Sequence, residues 1–598
     1  MSVLQKLTEG IVQRDMKKEG AALVNKWEQT GLLEGLGNEG AKNNMSRLLE
    51  NQAKELLREA STMGTGDVEG FAAVAFPIVR RVFGGLIAND LVSVQPMSLP
   101  SGLIFFMDFT FDSDTTPRLA QMANSSLYGG GVVGQQVTGG VDLSGYNAEQ
   151  GFYSLNNGYS SPTSSATVAP TAFASGTWPN LDAGGLTVTD SALLDDVKSV
   201  LKYDPALVSG TTQYAISTVA IDTSTTAFNL DDLVALVNDP AGTSANNGQF
   251  SSSLNAASQT INQARRLTSY SGSATGTSKT VFLVALSDTS TAVQCSASMG
   301  NSVTLTFPVK DGFDGTRAAG NTNALGAVVG QQWGLENNTG IPEIDLKVDS
   351  VSVTAITKKL KAKWTPELGQ DLNAYHNLDA EVELTSILSE QIALEIDREI
   401  LEDLIKGAKA GTYYWSRSPG LFVDRTTGVE KGASSAAPDF TGTVSEWYET
   451  LLETVNDVSA QIHRKTLRGG ANFIVTSPEV ASILEFTAGF RASVTVDDSK
   501  GVAGAEKVGN LSKKYDVYID PYFPRNIVLV GRKGNSFLES GYVYAPYVPL
   551  QVTPTIFGTE DFVPRKGVMT RYAKKMVRPD MYGLVVVRGM LGESGASS

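Results

Sequence analysis

The chain has very little of the chemistry on which most enzymes depend. Its 598 residues include one cysteine, Cys295, and two histidines, His376 and His463. A single cysteine excludes an internal disulfide, and no ligand spacing typical of a metal site is present. A nucleophile elbow of the hydrolase type is also missing. We therefore predict no catalytic residue, no bound cofactor and no metal, and we interpret both histidines as structural.

Long apolar runs and excess positive charge are lacking as well. No stretch approaches the roughly 18 apolar residues of a membrane-spanning helix. The amino terminus, MSVLQKLTEGIVQRDMKKEG, has no apolar core of a secretory signal, so we expect synthesis in the cytoplasm. Because the net charge is −15, the field of the whole chain does not attract phosphate. Such a chain can enclose nucleic acid without adhering to it.

Residues 112–330 are rich in glycine, serine and threonine, and Lys and Arg are absent from Ala120 to Val197. TVFLVAL and SVTLTFPV are typical of strands. DSALLDDVKSVLKY, LDDLVALV and SLNAASQTINQARRL are interpreted as short helices. The sequence ValValGlyGlnGln occurs at both 132–136 and 328–332. We predict an inserted β-rich domain that folds on its own.

The strongest helical pattern follows Thr365. This threonine can cap a helix that begins at Pro366, because proline tolerates the first helical position. HisAsnLeuAsp at 376–379 interrupts the pattern, and Asp379 can cap a second helix. Apolar residues then recur at Leu384, Leu388, Ile392, Ile396, Ile400 and Leu404, with Ile387, Leu394 and Leu401 as a second row. Because the second helix would be roughly 40 Å long, we expect a spine on which sheets are laid.

The first 59 residues differ from the remainder in charge. Between Met1 and Glu59, nine Lys and Arg residues balance nine Asp and Glu residues, so the net charge belongs to the rest of the chain. Two amphipathic helices are predicted here, and neither can bury its apolar face alone. Two interpretations stay open: a helical hairpin docked on the body, or an assembly segment that is later removed.

Alternating elements are predicted on both sides of the spine. LIFFMDFTF is typical of a strand. Residues 344–364 are predicted to form a pair of strands that leads into the spine. TYYWSRSPGLFVDR is interpreted as a loop or hairpin, and residues 445–466 as an amphipathic helix. NFIVTS, PEVASILEFT, DVYIDP and NIVLVG then form an α/β unit, and the last stretch has β character. The chain is therefore predicted to be α+β.

One basic cluster lies near the carboxy terminus, formed by Arg565, Lys566, Arg571, Lys574, Lys575 and Arg578. Because Tyr572 lies among these cations, nucleic-acid binding is one interpretation. In a chain of net charge −15, pairing with acidic groups of a neighbouring subunit is the favoured one. The candidates for subunit contacts are Arg80, Arg81, Arg571, Lys574, Lys575 and Arg578.

Three ordered blocks of sequence resemble the major capsid protein of T-even-type tailed bacteriophages. IVRRVFGGLIANDLVSVQPMSLPSGLIF resembles its amino-terminal arm, and TPELGQDLNAYHNLDAEVELTSILSEQIALEIDREIL resembles its spine. YAPYVPLQV and MTRYAKKMVRPDMYGLVVV resemble its carboxy-terminal strands. Residues 112–330 have no counterpart in the resemblance.

The resemblance implies the Hong Kong 97-type capsid fold, with a spine helix, an axial domain, an amino-terminal arm and an extended loop that would carry the insertion. The expected divisions are a helical propeptide or scaffolding segment (1–59), the arm and start of the extended loop (60–111), the extended loop with insertion (112–330), the peripheral domain with the spine (331–439), the axial domain (440–540) and the carboxy-terminal strands (541–598).

The resemblance also implies maturation by a prohead protease that cleaves after a Leu/Ile-x-Glu triplet. Leu57-Arg58-Glu59, followed by Ala60, fits this triplet at the end of the charge-balanced segment. Triplets that end at Glu34 and Glu50 fit too, and position favours Glu59. The expected cleavage therefore lies between Glu59 and Ala60, with Leu57 in the recognition triplet.

The function implied is that of a structural protein. Copies of the chain would form hexamers, and in some members pentamers, of an icosahedral or elongated head around double-stranded DNA, without sequence-specific binding. Assembly would involve scaffold or core proteins and the protease, with vertex, portal and decoration proteins as further partners. The expected location is the virion capsid after synthesis in the host cytoplasm. A bacterial surface-layer or adhesin-type protein is the alternative, although it would require an export signal.

Overall fold

The computed structural model describes residues 16–34, 36, 39–60, 86–111, 163–168, 171–177, 180–183, 186–187, 191–204, 214–222, 237–238, 261–270, 278–287, 303–308, 344–431, 440–492, 506–534 and 539–590. These residues fall into two compact units. The first is drawn from Met1–Phe109 and Leu346–Ser598, and the second from Thr110–Ser125 and Val141–Asp345.

Helices and strands occur in both units, so the α+β class is confirmed. The helices are α1 (Met16–Glu28), α2 (Glu39–Ala60), α3 (Ala88–Leu91), α4 (Ser191–Val200), α5 (Pro366–His376), α6 (Ala380–Gly407), α7 (Val444–Thr466) and α8 (Pro478–Glu485).

The strands, in chain order, are β1 (Ser93–Val94), β2 (Ser101–Phe111), β3 (Thr163–Val168), β4 (Thr171–Thr177), β5 (Asn180–Ala183), β6 (Leu186–Thr187), β7 (Tyr214–Asp222), β8 (Val237–Asn238), β9 (Ile261–Gln263), β10 (Ser269–Tyr270), β11 (Ser278–Ser287), β12 (Val303–Pro308), β13 (Ile344–Thr354), β14 (Ile356–Lys363), β15 (Thr412–Ser416), β16 (Phe473–Thr476), β17 (Phe490–Ala492), β18 (Glu506–Leu511), β19 (Tyr515–Ile519), β20 (Ile527–Gly531), β21 (Tyr542–Val552), β22 (Ile556–Phe557), β23 (Pro564–Met576) and β24 (Tyr582–Arg588).

The predicted spine is confirmed as two helices with the predicted caps. The Thr365 hydroxyl accepts the Leu368 N–H at 3.3 Å, and the Asp379 carboxylate accepts the Glu381 N–H at 2.9 Å. These bonds satisfy amide groups that the first turn of a helix leaves without partners. Asn377 closes α5 in a left-handed conformation, which separates the two helices.

Only the second half of α6 lies in the hydrophobic core. Ile392, Ile396, Ile400 and Leu404 are buried against the first unit's core, whereas Ile387 is exposed. The predicted apolar rows therefore run along the whole helix in sequence, but only part of each row is buried. The first half buries Ala380, Thr385 and Ser389, but it leaves the apolar side chains of Val382 and Ile387 exposed.

The spine packs on a five-stranded sheet in the order β1-β21-β23-β14, with β22 paired to β23. β21 and β14 both run antiparallel to β23. Successive side chains of a strand point to opposite faces, so every second residue of β14 and β23 faces α6. A separate two-stranded ribbon is formed by β2 and β13.

The predicted α/β unit is confirmed within a second sheet of the first unit. Its order is β15-β24-β20-β16-β19-β18-β17, and α7 and α8 pack against it. Thr443 and Glu446 form a reciprocal capping box at the start of α7. The expectation of a loop or hairpin at TYYW is wrong, because β15 pairs in parallel with β24. Its partner lies far along the chain, which a local pattern does not show.

The second unit contains two antiparallel sheets, with orders β10-β11-β7-β4-β5-β6 and β3-β12-β8, and β9 pairs with β11. TVFLVAL and SVTLTFPV are confirmed as strands, and α4 is confirmed as a helix. The helix expected at SLNAASQTINQARRL is wrong in its described part: Ile261–Gln263 is a strand and Arg265–Leu267 a 3-10 turn. Ladder bonds to Ala285–Ser287 override the local helical preference. LDDLVALV lies outside the described residues except Val237, which is in β8.

Candidate assembly surfaces

The predicted basic cluster lies largely on one strand, β23, whose alternation divides it between two faces. Lys566, Tyr572 and Lys574 face the spine, because each contacts a carboxylate of α6. Arg571 and Lys575 occupy the opposite parity and therefore point to the other face. The cluster is thus two separate surfaces.

The spine-facing cations form a partly buried charge network with α6. Lys574 Nζ lies 2.6 Å from a Glu399 oxygen and 2.7 Å from an Asp403 oxygen. Lys358, on the neighbouring strand β14, lies 3.0 Å from Glu395. Because Glu395, Glu399 and Asp403 are spaced by four residues, they share one face of the helix.

Two buried tyrosines complete this network. The Tyr542 hydroxyl donates to Asp403 at 2.7 Å, and the Tyr572 hydroxyl donates to Glu399. Burial raises the pKa of both phenols far above the usual range, and the adjacent carboxylates raise it further. Both phenols therefore remain proton donors at any physiological pH.

The ionised forms of the network are the favoured ones. Burial raises the pKa of Glu399, but hydrogen bonds from Lys574 and Tyr572 outweigh it and hold the pKa below its ordinary value. Burial lowers the pKa of Lys574, yet Asp403 and Glu399 raise it overall. For Lys358, the hydrogen bond to Glu395 is the main cause of a raised pKa. The network fixes the spine to its sheet through charged groups.

The remaining subunit-contact candidates occupy different environments. Arg578 is buried, and its Nη2 donates to the Lys465 carbonyl at 3.0 Å. The Arg571 guanidinium lies 5.4 Å from the Tyr547 ring centroid, within the range of a cation–π contact. Lys575 is exposed. Arg80 and Arg81 lie outside the described residues, and contact of all six residues with another subunit stays a prediction.

The amino-terminal helices pack against the body of the first unit. Trp27 of α1 and Leu49 of α2 are buried in the same core as Leu91 and Tyr544. Two asparagines that lie two helical turns apart on α2 anchor it to backbone carbonyls: the amide of Asn44 donates to Val94 at 3.2 Å, and that of Asn51 to Met97 at 3.0 Å. The described part of this segment is therefore a hairpin docked on the body.

The predicted cleavage site lies at the end of α2, whose last turn contains Leu57, Glu59 and Ala60. Proteases bind extended backbone, so cleavage there requires this turn to unwind. Cleavage between Glu59 and Ala60 stays a prediction.

Several described elements expose apolar side chains. Helix α5 has no buried residue, and its Tyr375 is 81% exposed. On β13, Ile344, Leu346 and Val348 are all exposed at alternate positions, which makes one apolar row. Exposed apolar rows are one feature of protein–protein contact sites.

A family model described as "Major capsid protein Gp23" matches residues 68–199 and 223–597. The prediction that residues 112–330 have no counterpart in this family is therefore wrong, because the match includes most of them. The chain belongs to the major capsid protein Gp23 family. This family is one of structural capsid proteins of bacteriophage virions. Capsid proteins contact one another, and the exposed apolar rows and charged faces described above are surfaces that such contacts could cover.

Curated relatives of this Gp23 family member are also major capsid proteins. The one from Vibrio phage KVP40 is 35% identical over 240 residues, covering 38% of this chain and 45% of that protein. The one from Enterobacteria phage T4 is 33% identical over 257 residues, covering 40% of this chain and 46% of that protein. The match therefore spans about half the length of these relatives.

Solved structures similar to the Gp23 family member include phage capsids. A structure titled "Mycobacterium phage Che8" has a TM-score of 0.27 and 13% identity, covering 44% of this chain and 81% of that chain. The capsid of Myoviridae phage XM1 has a TM-score of 0.27 and 11% identity, covering 42% of this chain and 79% of that chain.

Within the part of the chain that the structure describes, none of the helices has the length and apolar content needed to cross a bilayer.

Proposed function

We propose that the chain is a structural tile that associates with copies of itself to form the head shell of a tailed phage. One observation carries this proposal: α5 forms eleven residues of capped helix without burying any of them. Isolated helices of this length are marginal in water, so a stable α5 needs a partner. The exposed apolar row on β13 likewise needs a partner that covers it.

The described architecture supports assignment to the Hong Kong 97-type fold. The five-stranded sheet with α6 would be the peripheral domain, and the seven-stranded sheet with α7 and α8 the axial domain. The ribbon of β2 and β13 would be the extended loop that carries the insertion. Hexamers would be the main capsomer, with pentamers at the vertices of an icosahedral or elongated head.

Maturation would remove residues 1–59 by cleavage between Glu59 and Ala60. Because this segment is neutral, its removal leaves the net charge of −15 on the shell protein. A shell with that charge attracts packaged double-stranded DNA little and binds no particular sequence. Scaffold or core proteins and a prohead protease would act during assembly in the host cytoplasm, and vertex, portal and decoration proteins would join the virion.

Mass spectrometry of mature particles tests the cleavage. We expect a mature chain that begins at Ala60, and Glu59→Gln should block its formation because the triplet loses its glutamate. Glu50→Gln is the matched control and should be processed normally. Particles that retain Met1 to Glu59 would overturn this part of the proposal.

Sedimentation velocity of the purified chain tests self-association. Tyr375→Lys places a positive charge on exposed apolar surface, so it should leave the fold intact and shift the protein toward monomer. Tyr375→Phe keeps the ring and should associate as the unchanged chain does. If Tyr375→Lys sediments like the unchanged chain, α5 is not a contact surface.

A further inference from the structure

Helix α5 combines an acidic face with its apolar side chains. Glu367, Asp371 and Tyr375 recur every fourth residue, so they share one face of the helix. All three are exposed, and neither Glu367 nor Asp371 has an ion-pair partner among the described residues. From Thr365 to Asp397 the chain carries eight carboxylates and no Lys or Arg. The charge on α5 is therefore not balanced by basic residues within α5 or in the chain that follows it as far as Asp397.

The strand immediately before α5 has the opposite character. β14 contains four lysines and no acidic residue. Lys358 faces the spine, whereas Lys359, Lys361 and Lys363 share the other parity and are exposed. These three lysines have no ion-pair partner within the described parts of the chain. β14 is also an edge strand of its sheet, so a partner can approach this row.

The two surfaces match in spacing as well as in charge. Every second residue of a strand advances about 6.8 Å, which is the separation of successive lysines in the row. Every fourth residue of a helix advances about 6 Å, which is the separation of Glu367 from Asp371. A helix laid along the strand can therefore bring carboxylates opposite successive ammonium groups.

We propose that the acidic face of α5 in one copy docks on the Lys359–Lys361–Lys363 row of β14 in a second copy. Leu368 and Tyr375 would supply apolar contact beside the ion pairs. Because the two surfaces differ, the contact is heterologous, and repetition of it generates a ring when the rotation closes. This inference rests on the self-association proposed above and names the surfaces that produce it.

The lysine row could instead serve one of two roles that need no second copy. Lysines on an edge strand prevent edge-to-edge aggregation, and this role requires no partner at all. Phosphates of nucleic acid would also pair with lysines, but they would leave the acidic face of α5 uncompensated. A second copy is favoured because it covers both surfaces at once.

Charge reversal with rescue tests the contact. In K359E/K361E/K363E and in E367K/D371K, like charges would meet, so the protein concentration at half-association should rise about tenfold or more. The variant that combines both reversals restores opposite charges and should recover most of the association. K431E/K513E reverses two exposed lysines elsewhere and is the matched control, expected to associate normally. Circular dichroism of each variant verifies that the chain is folded.

The outcomes distinguish three roles of the lysine row: contact with a second copy, protection of the sheet edge, and binding of nucleic acid. The contact is supported if association weakens in both single-surface variants and recovers in the combined variant. It is also supported if, at roughly 0.5 M salt, the variants and the unchanged chain differ less in association, because salt screens the charges. If the unchanged chain associates and the reversals associate equally well, or the combined variant fails to recover, the contact is wrong while self-association stands. Binding of double-stranded DNA that disappears only in K359E/K361E/K363E, without loss of association, would assign the row to nucleic acid. A monomeric unchanged chain would overturn both proposals.

Discussion

Lys574 and Lys575 provide a sharp test of the charge network, because adjacent residues on one strand face opposite sides. Lys574→Met removes the ammonium group that pairs with Glu399 and Asp403 and leaves both carboxylates beside the sheet. Lys575→Met removes the same charge from an exposed position. Any general effect of the net charge is identical in the two variants.

The magnitude follows from the burial of the pair. Removal of one partner from a fully buried ion pair costs about 3–5 kcal/mol. The side chains of Lys574 and Glu399 are 22% and 21% exposed, so solvent relieves part of that cost. We expect Lys574→Met to destabilise the spine by about 2 kcal/mol and Lys575→Met by less than about 0.5 kcal/mol.

Hydrogen exchange of the α6 amides measures this difference locally, which avoids treating a chain of two units as two-state. A loss of about 2 kcal/mol accelerates exchange from Ile392 to Leu404 roughly 30-fold in Lys574→Met. Lys575→Met should exchange like the unchanged chain. Equal exchange in both variants would refute the assignment of Lys574 to the spine.

The pH dependence of the same measurement has a definite sign. The pKa of Glu399 is lowered on folding, so its contribution is complete above the unfolded value of about 4.3 and is lost as pH falls through the lowered pKa. The pKa of Lys574 is raised, so its contribution is lost only as pH rises through a value above about 10.4. The effect of Lys574→Met should be constant between about pH 5 and 10, and it should shrink below about pH 4.

Three further substitutions test the packing. Ile396→Ala should lower the local free energy of unfolding of α6, measured by hydrogen exchange, by about 2–5 kcal/mol because Ile396 is fully buried in the spine core. Unchanged exchange would remove α6 from that core. Gly583→Ala should lower the thermal midpoint by forcing a shift, since an added Cβ would lie 2.4 Å from Val458 Cγ1; an unchanged midpoint would show that the strand accommodates it. Thr443→Ala should cost about 1 kcal/mol through the loss of the capping box with Glu446, whereas Thr443→Ser should be nearly neutral.

Local chemistry explains what the sequence predicts correctly. Thr365 and Asp379 mark the starts of α5 and α6 because each supplies a cap within three residues of the amide it serves. The strands β16, β19 and β20 are short apolar runs bounded by turn residues, a pattern that depends on near neighbours alone. Such signals are contained in a window of a few residues.

Partnerships between distant segments are not contained in such windows. The parallel pairing of β15 with β24 and the pairing of β9 with β11 both override the local interpretation. The network of Lys574 with Glu399 and Asp403 is of the same kind, because the sequence favours a neighbouring subunit as the source of acidic partners for the basic cluster. The four-residue spacing of Glu395, Glu399 and Asp403 and the alternation of β23 were visible signals. Whether the carboxylates of α6 contact the lysines of β23 depends on which face of the sheet α6 covers.

Self-association is the central claim, and electron microscopy of the purified, negatively stained chain tests it most directly. The account predicts closed shells or hexameric tiles. Discrete single chains at concentrations where capsid proteins assemble would contradict it.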